Sequence, residues 1–173
     1  AAGNGPDRSP YTYDVAFPVL KKYGYPAAVF VCTDLVTGKE NALSWDKVKE
    51  MAAAGISIEH QTKTLRNLTR RKGDETFEDY VVAVDREMTV ATLEFREKAG
   101  LNPSYFAYPY GAANELVVAL LTKNGFRGAV TLSGQPNPFY TDNFLVGRKP
   151  VTADMTLDAL GKSLTVFQKS EVQ

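Results

Sequence analysis

The sequence predicts an α/β fold on a mainly parallel sheet, either strongly curled or closed into a barrel. Three observations predict it. Apolar, β-branched runs alternate along the chain with stretches of helical periodicity. The run Ala27-Ala-Val-Phe-Val-Cys32 is apolar throughout, as a strand buried on both faces must be. Glycines stand where helical patterns stop, at Gly24, Gly55, Gly100 and Gly125. About six strands and five helices fit in a single domain spanning residues 1–173.

Each element has its own signal. Ser9-Pro10 starts a first helix that runs to Tyr23, and Pro18 kinks it or delays its start. The strand 27–32 follows, then a polar loop from Thr33 to Ala42. Ser44 caps a helix from Trp45 to Ala54, and Ile56 to His60 is a short strand. The longest helix covers about Glu75 to Ala99. Its positions Phe77, Val81, Val84, Met88, Ala91 and Phe95 share one face. Tyr105 to Tyr110 reads as a strand, and Asn114 caps a helix to Asn124. Gly128–Leu132 and Phe144–Val151 are further strands joined by a Gly/Pro/Asn-rich loop. Thr156 opens a last helix with Leu157, Leu160, Leu164 and Phe167 on one side.

Composition narrows the function. Lys and Arg number 20, as do Asp and Glu, and both signs are interspersed. No basic stripe points to nucleic acid, and no apolar run is long enough to span a bilayer. The single cysteine, Cys32, excludes an internal disulfide and reads as a small buried hydrophobe. The start, Ala-Ala-Gly-Asn-Gly, does not read as a signal peptide.

Three segments in order carry a resemblance. They are Tyr13-Asp-Val-Ala-Phe-Pro-Val-Leu-Lys-Lys-Tyr-Gly-Tyr-Pro-Ala-Ala-Val-Phe-Val31, Leu43-Ser-Trp-Asp-Lys-Val-Lys-Glu-Met-Ala-Ala-Ala-Gly55 and Phe106-Ala-Tyr-Pro-Tyr-Gly111. Together they resemble the polysaccharide deacetylases, a family that includes chitin, chitooligosaccharide and peptidoglycan deacetylases. The resemblance implies a distorted (β/α) barrel and a divalent metal held by one Asp and two His. In that chemistry the metal lowers the pKa of a bound water, and a second Asp takes the proton. A backbone N–H near the Tyr of the third segment helps hold the oxyanion.

This chain departs from the pattern at its charged positions. Placing Gly5-Pro6 on the family's first motif puts Gly3 at the base and Asn4 at the metal-binding Asp. Placing Asn67-Leu-Thr69 after the second motif puts Gln61 and Leu65 where the two imidazoles belong. The Arg that often precedes the third motif's proline falls near Ala107. The expectation is therefore a domain without catalytic residues, metal or other cofactor, keeping a groove for a polysaccharide or amino-sugar oligomer. The family's usual setting implies export to the periplasm or cell surface.

The groove is expected among the strand ends, with candidates Asn4, Asp7, Glu59, His60, Gln61, Tyr108, Tyr110 and Arg148. Other readings stand beside it. A non-standard hydrolase built on Asp7, Glu59 and His60, holding zinc, is one; a purely structural or interaction domain is another. Glu59 and His60 read first as structural, because a one-residue slip on a strand turns a side chain to the other face. Trp45 reads as packing under a loop, or else as a sugar-stacking platform. Arg148 either pairs with a carboxylate across the barrel or lines the pocket. Arg66, Arg70, Arg71 and Lys72 read as a solvated basic loop, and the Asn67-Leu-Thr69 sequon as a chance match or a glycan site.

Overall fold

A computed structural model describes residues 11–39, 42–134, 137–138, 140–152 and 154–164. A π-helical turn over Thr12–Ala16 leads into helix α1, Phe17–Tyr23, with Pro18 in its first turn. The proline thus delays the regular helix, since its missing N–H is harmless only there. Ser9-Pro10 lies outside the described residues. Strand β1, Ala28–Val31, is followed by helix α2, Trp45–Ala53, whose first turn is capped by Ser44 accepting from the Lys47 N–H. Next come β2, Ser57–His60, and the long helix α3, Phe77–Ala99, opened by a Thr76/Asp79 capping box and closed by left-handed Gly100. Strand β3, Tyr105–Ala107, helix α4, Glu115–Lys123, strands β4, Gly128–Thr131, and β5, Val146–Gly147, and helix α5, Leu157–Leu164, complete the order.

All five described strands run parallel in the order β1-β2-β3-β4-β5, with Val31 opposite His60, His60 opposite Phe106, Ala107 opposite Val130 and Thr131 opposite Gly147. A flat sheet would hold β1 and β5 about 19 Å apart, at about 4.8 Å per strand. Instead, the Arg148 guanidinium just beyond β5 lies 5.3 Å from the Phe30 ring on β1. An arginine cannot bridge a flat sheet of that width, so the sheet curls strongly. Sequential order and curl together match the α/β expectation.

The two faces differ. Val29, Val31 and Ile58 pack outward with Val48, Met51 and Phe95 of α2 and α3. Phe106 and Ala129 pack with Val84, Met88, Val117 and Leu121 of α3 and α4. The alternate residues, Phe30 and its ladder partner Glu59, face into the curl.

Several expectations are corrected. Strand β3 stops at Ala107 rather than Tyr110, because Pro109 lacks an N–H and Tyr110 and Gly111 are left-handed, with φ of 60° and 70°. Strand β5 is shorter than Phe144–Val151. The Phe144 N–H turns to the Asp142 side chain, and Pro150 has no donor to continue the ladder. On α3 the inward face begins at Tyr80, whose hydroxyl donates to the Leu68 carbonyl, while Phe77 stays 63% exposed at the rim. Arg66 is no solvated surface residue: it is buried, paired with Glu75 and stacked over Tyr80 at 5.6 Å. Leu157 on α5 is 87% exposed, and Phe167 lies outside the described residues. Trp45 is half-buried and meets Phe95 edge-on at 5.7 Å, the packing role expected of it.

Candidate functional site

The strand ends place two built loops at one edge. The first is residues 61–65, directly after β2. Its Gln61 N–H extends the ladder to Val31 O, and Thr62 and Leu65 both take left-handed backbone conformations, φ 62° and 67°. Non-glycine residues pay about 1–2 kcal/mol for this, so surrounding contacts must impose it. They are present. The buried Glu87 carboxylate of α3 accepts from the Lys63 N–H (3.0 Å), the Thr64 N–H (2.8 Å) and the Thr64 hydroxyl. Leu65 N–H donates to the Thr62 hydroxyl, 3.0 Å.

Beneath this loop, the Lys63 ammonium meets Asp34 and Glu94, and Thr33 donates to Glu94. The Asp34 bond raises the Lys63 pKa. Burial pushes the Glu94 carboxyl up, but Thr33, Lys98 and Lys63 outweigh it and hold it below the ordinary value. Cys32 is buried, donates to Lys63 O, and has its thiol pushed up to about 11 by burial. It packs as the small buried residue the sequence suggested.

The second loop follows β3. Tyr110 stands 64% exposed at φ 60°, and a Cβ on Gly111 would come within 2.8 Å of Leu132 Cβ and N. Only glycine fits there. Thr62, Leu65 and Tyr110 are the non-glycine residues of positive φ among the described ones, and all three lie at this edge.

The candidate residues divide sharply. His60 is fully buried on the outer face of β2, packed among Phe95, Phe106 and Phe126 at 5.6, 5.2 and 5.2 Å. Its Nδ1 accepts from the Thr62 N–H at 3.0 Å, so Nε2 carries the proton and donates to Met88 O at 3.1 Å. Burial lowers its pKa to about 4. Glu59 faces the opposite way and accepts from Ser57 and from the Ser104 and Tyr105 N–H groups, tying β2 to the start of β3.

Tyr108 is buried, its hydroxyl on Phe144 O, with burial raising its pKa. These three therefore do not line the mouth: alternation sends His60 outward, Glu59 is drawn toward the strands' starting end, and the turn at Pro109 swings Tyr110 out while Tyr108 stays in the core. Gln61, Tyr110 and Arg148 lie just past the ends of β2, β3 and β5. Asn4 and Asp7, with Gly3, lie outside the described residues. Asn67 accepts from the N–H and hydroxyl of Thr69, a local turn that uses the sequon's own side chains.

A family model described as polysaccharide deacetylase matches residues 4–129. This chain belongs to the polysaccharide deacetylase family. The poly-β-1,6-N-acetyl-D-glucosamine N-deacetylase of Staphylococcus epidermidis is 31% identical over 163 residues, covering 87% of this chain and 54% of that protein. Its Staphylococcus aureus counterpart is 25% identical over 154 residues, covering 83% and 53%. The chain thus spans about half the length of these curated relatives. A Streptococcus pyogenes deacetylase solved with acetate superposes at TM-score 0.80 with 22% identity, covering 91% of this chain and 67% of that one. IcaB from Ammonifex degensii superposes at 0.69 with 29% identity, covering 87% and 66%.

The residues present do not fit the metal that the family resemblance implies. Leu65 offers only carbon and is 9% exposed, Gln61 is a neutral amide, and the one imidazole has both nitrogens engaged in the core. Among the described residues, no three His, Cys, Asp or Glu side chains gather as a metal site would require. The site features invisible to sequence reading were Phe30 beneath Arg148 and the Glu87 clamp. Glu87 did leave a signal, a carboxylate within the inward stripe Val84, Met88, Ala91.

Proposed function

We propose that this domain binds a polysaccharide or amino-sugar oligomer at the open edge of its sheet, without metal-dependent deacetylation. The carrying observation is a contrast within one loop. Residues 61–65 keep a strained backbone in which every N–H is hydrogen-bonded, yet the position aligned with the second imidazole holds the buried hydrocarbon of Leu65. Strained backbone persists where the surroundings over-determine it, and such places are commonly binding sites. The exposed Tyr110 ring is suited to stacking on a pyranose. Gly3, aligned with the base, has no group to take a proton. In this reading the domain acts at the cell surface or periplasm, where such polymers lie.

The rival hydrolase built on Asp7, Glu59 and His60 loses support, because Glu59 and His60 occupy opposite faces of β2 and cannot converge on one ion. Elemental analysis after dialysis is expected to give far less than one zinc, cobalt or nickel per chain. Acetate release from β-1,6-linked N-acetylglucosamine oligomers should stay at background even with added zinc, while the same oligomers shift resonances around Tyr110. Stoichiometric metal together with acetate release would overturn the reading. Restoring the motifs with Gly3→Asp, Asn4→Asp, Gln61→His and Leu65→His should raise metal affinity, and reverting either imidazole should remove most of the gain. A folded quadruple variant with no gain would mean that these positions do not converge.

A further inference from the structure

We propose that Arg148 is an anion-recognition site at the sheet's open edge, built for a carboxylate carried by the saccharide ligand. The residue is fixed on several sides. Its backbone N–H donates to Thr131 O and its carbonyl accepts from the Gly134 N–H, each at 3.3 Å. In the side chain, Nε donates to Thr131 O at 3.2 Å, and the guanidinium lies over Phe30 at 5.3 Å. One edge and one face are therefore occupied, leaving the two terminal NH2 groups.

No acidic side chain among the described residues pairs with it, and other cations without a carboxylate partner, such as Arg86, Arg96 and Arg127, are exposed. Arg148 is also half-buried, and holding a cation out of water without a counter-ion is unfavourable. Burial lowers its pKa, but an arginine stays charged at neutral pH. A preset, unpaired guanidinium fork matches a planar carboxylate in bidentate geometry. A phenyl face beneath it screens one side from water and strengthens the interaction.

The saccharide part of this proposal rests on the groove reading above; the anion part does not. Sodium acetate and a glucuronic-acid disaccharide supply the same carboxylate from two sources, and the neutral glucose counterpart supplies the rings alone. The Arg148 Nε–H and Phe30 ring resonances report binding. The acidic disaccharide should bind at least about tenfold more tightly than the neutral one, with the advantage shrinking as salt is added. Arg148→Gln should erase that advantage, so that the two disaccharides then bind alike. Arg148→Lys, which keeps charge and stem packing but not the fork, should retain a fraction of it.

Equal affinity for both disaccharides overturns the proposal while the groove stands. Acetate shifting the Arg148 resonance, with neither disaccharide binding, upholds the anion site and sinks the groove. No response of Arg148 to any of the three refutes it outright, and this arm needs no variant.

Discussion

Acidification should destabilise this protein from about pH 6.5 downward, and the cause is one residue. His60 is the chain's single histidine. In the folded state it is neutral, with its pKa lowered to about 4 by burial. The proton has nowhere to go, since Nδ1 already faces the Thr62 N–H and three phenyl rings enclose the imidazole. In the unfolded chain the ordinary value is 6.5. Between these values the unfolded state binds a proton that the folded state refuses. The stability is therefore fully present above about pH 6.5 and is lost as pH falls toward 4. Each pH unit inside that window removes about 1.4 kcal/mol, so the loss from pH 7.5 to 4.5 is roughly 2–3 kcal/mol.

Glu75, held at about 2 by Arg66, titrates below this window and does not confuse it. Urea unfolding at the two pH values measures the loss. His60→Asn keeps an acceptor for the Thr62 N–H but cannot titrate. It should be less stable at pH 7.5 because of the cavity, yet nearly flat down to 4.5. An NMR titration placing His60 at 6.5 or above, or an unchanged slope in the asparagine variant, would refute the assignment of His60 to the core.

Other outcomes follow from the two loops. Gly111→Ala forces a Cβ against Leu132 at 2.8 Å in a left-handed turn and should cost about 2 kcal/mol or more by thermal unfolding. Glu87→Ala strips the carboxylate from the Lys63 and Thr64 amides, and Lys63 keeps the Glu87 carbonyl at 3.1 Å. It should cost about 2 kcal/mol and greatly accelerate hydrogen exchange at Thr64, less so at Lys63, with α3 amides remote from the loop little changed. Tyr110→Gly relieves a left-handed tyrosine at φ 60°. It should leave stability unchanged or raise it by up to about 1 kcal/mol while weakening oligomer binding. Retained affinity in that variant would remove Tyr110 from the groove.

Much of the fold was legible because its signals are local. The Ser44 and Asn114 caps, the left-handed glycines after the helices and the apolar β1 run each act within a few residues, and each appears where periodicity puts it. Strand lengths were less legible. Tyr105–Tyr110 has a strand's composition, but Tyr110 and Gly111 are left-handed, and Leu132, just past β4, leaves no room for a Cβ on Gly111. The site was legible in part. The expectation that Gln61 and Leu65 stand where the family carries its imidazoles needs only the sequence. The fate of His60, Glu59 and Tyr108 depends on which face of the sheet is covered by helices.

By itself, then, the sequence determined the alternation of elements, their caps and stops, and the family, since these are properties of neighbours along the chain or of residue type. Only the tertiary structure decided that the lone histidine is a core residue, that Glu87 holds the 61–65 loop, and that Arg148 lies over Phe30 with no carboxylate partner among the described residues. Those facts rest on contacts between residues 23 to 118 positions apart, across a curl whose degree no local pattern records.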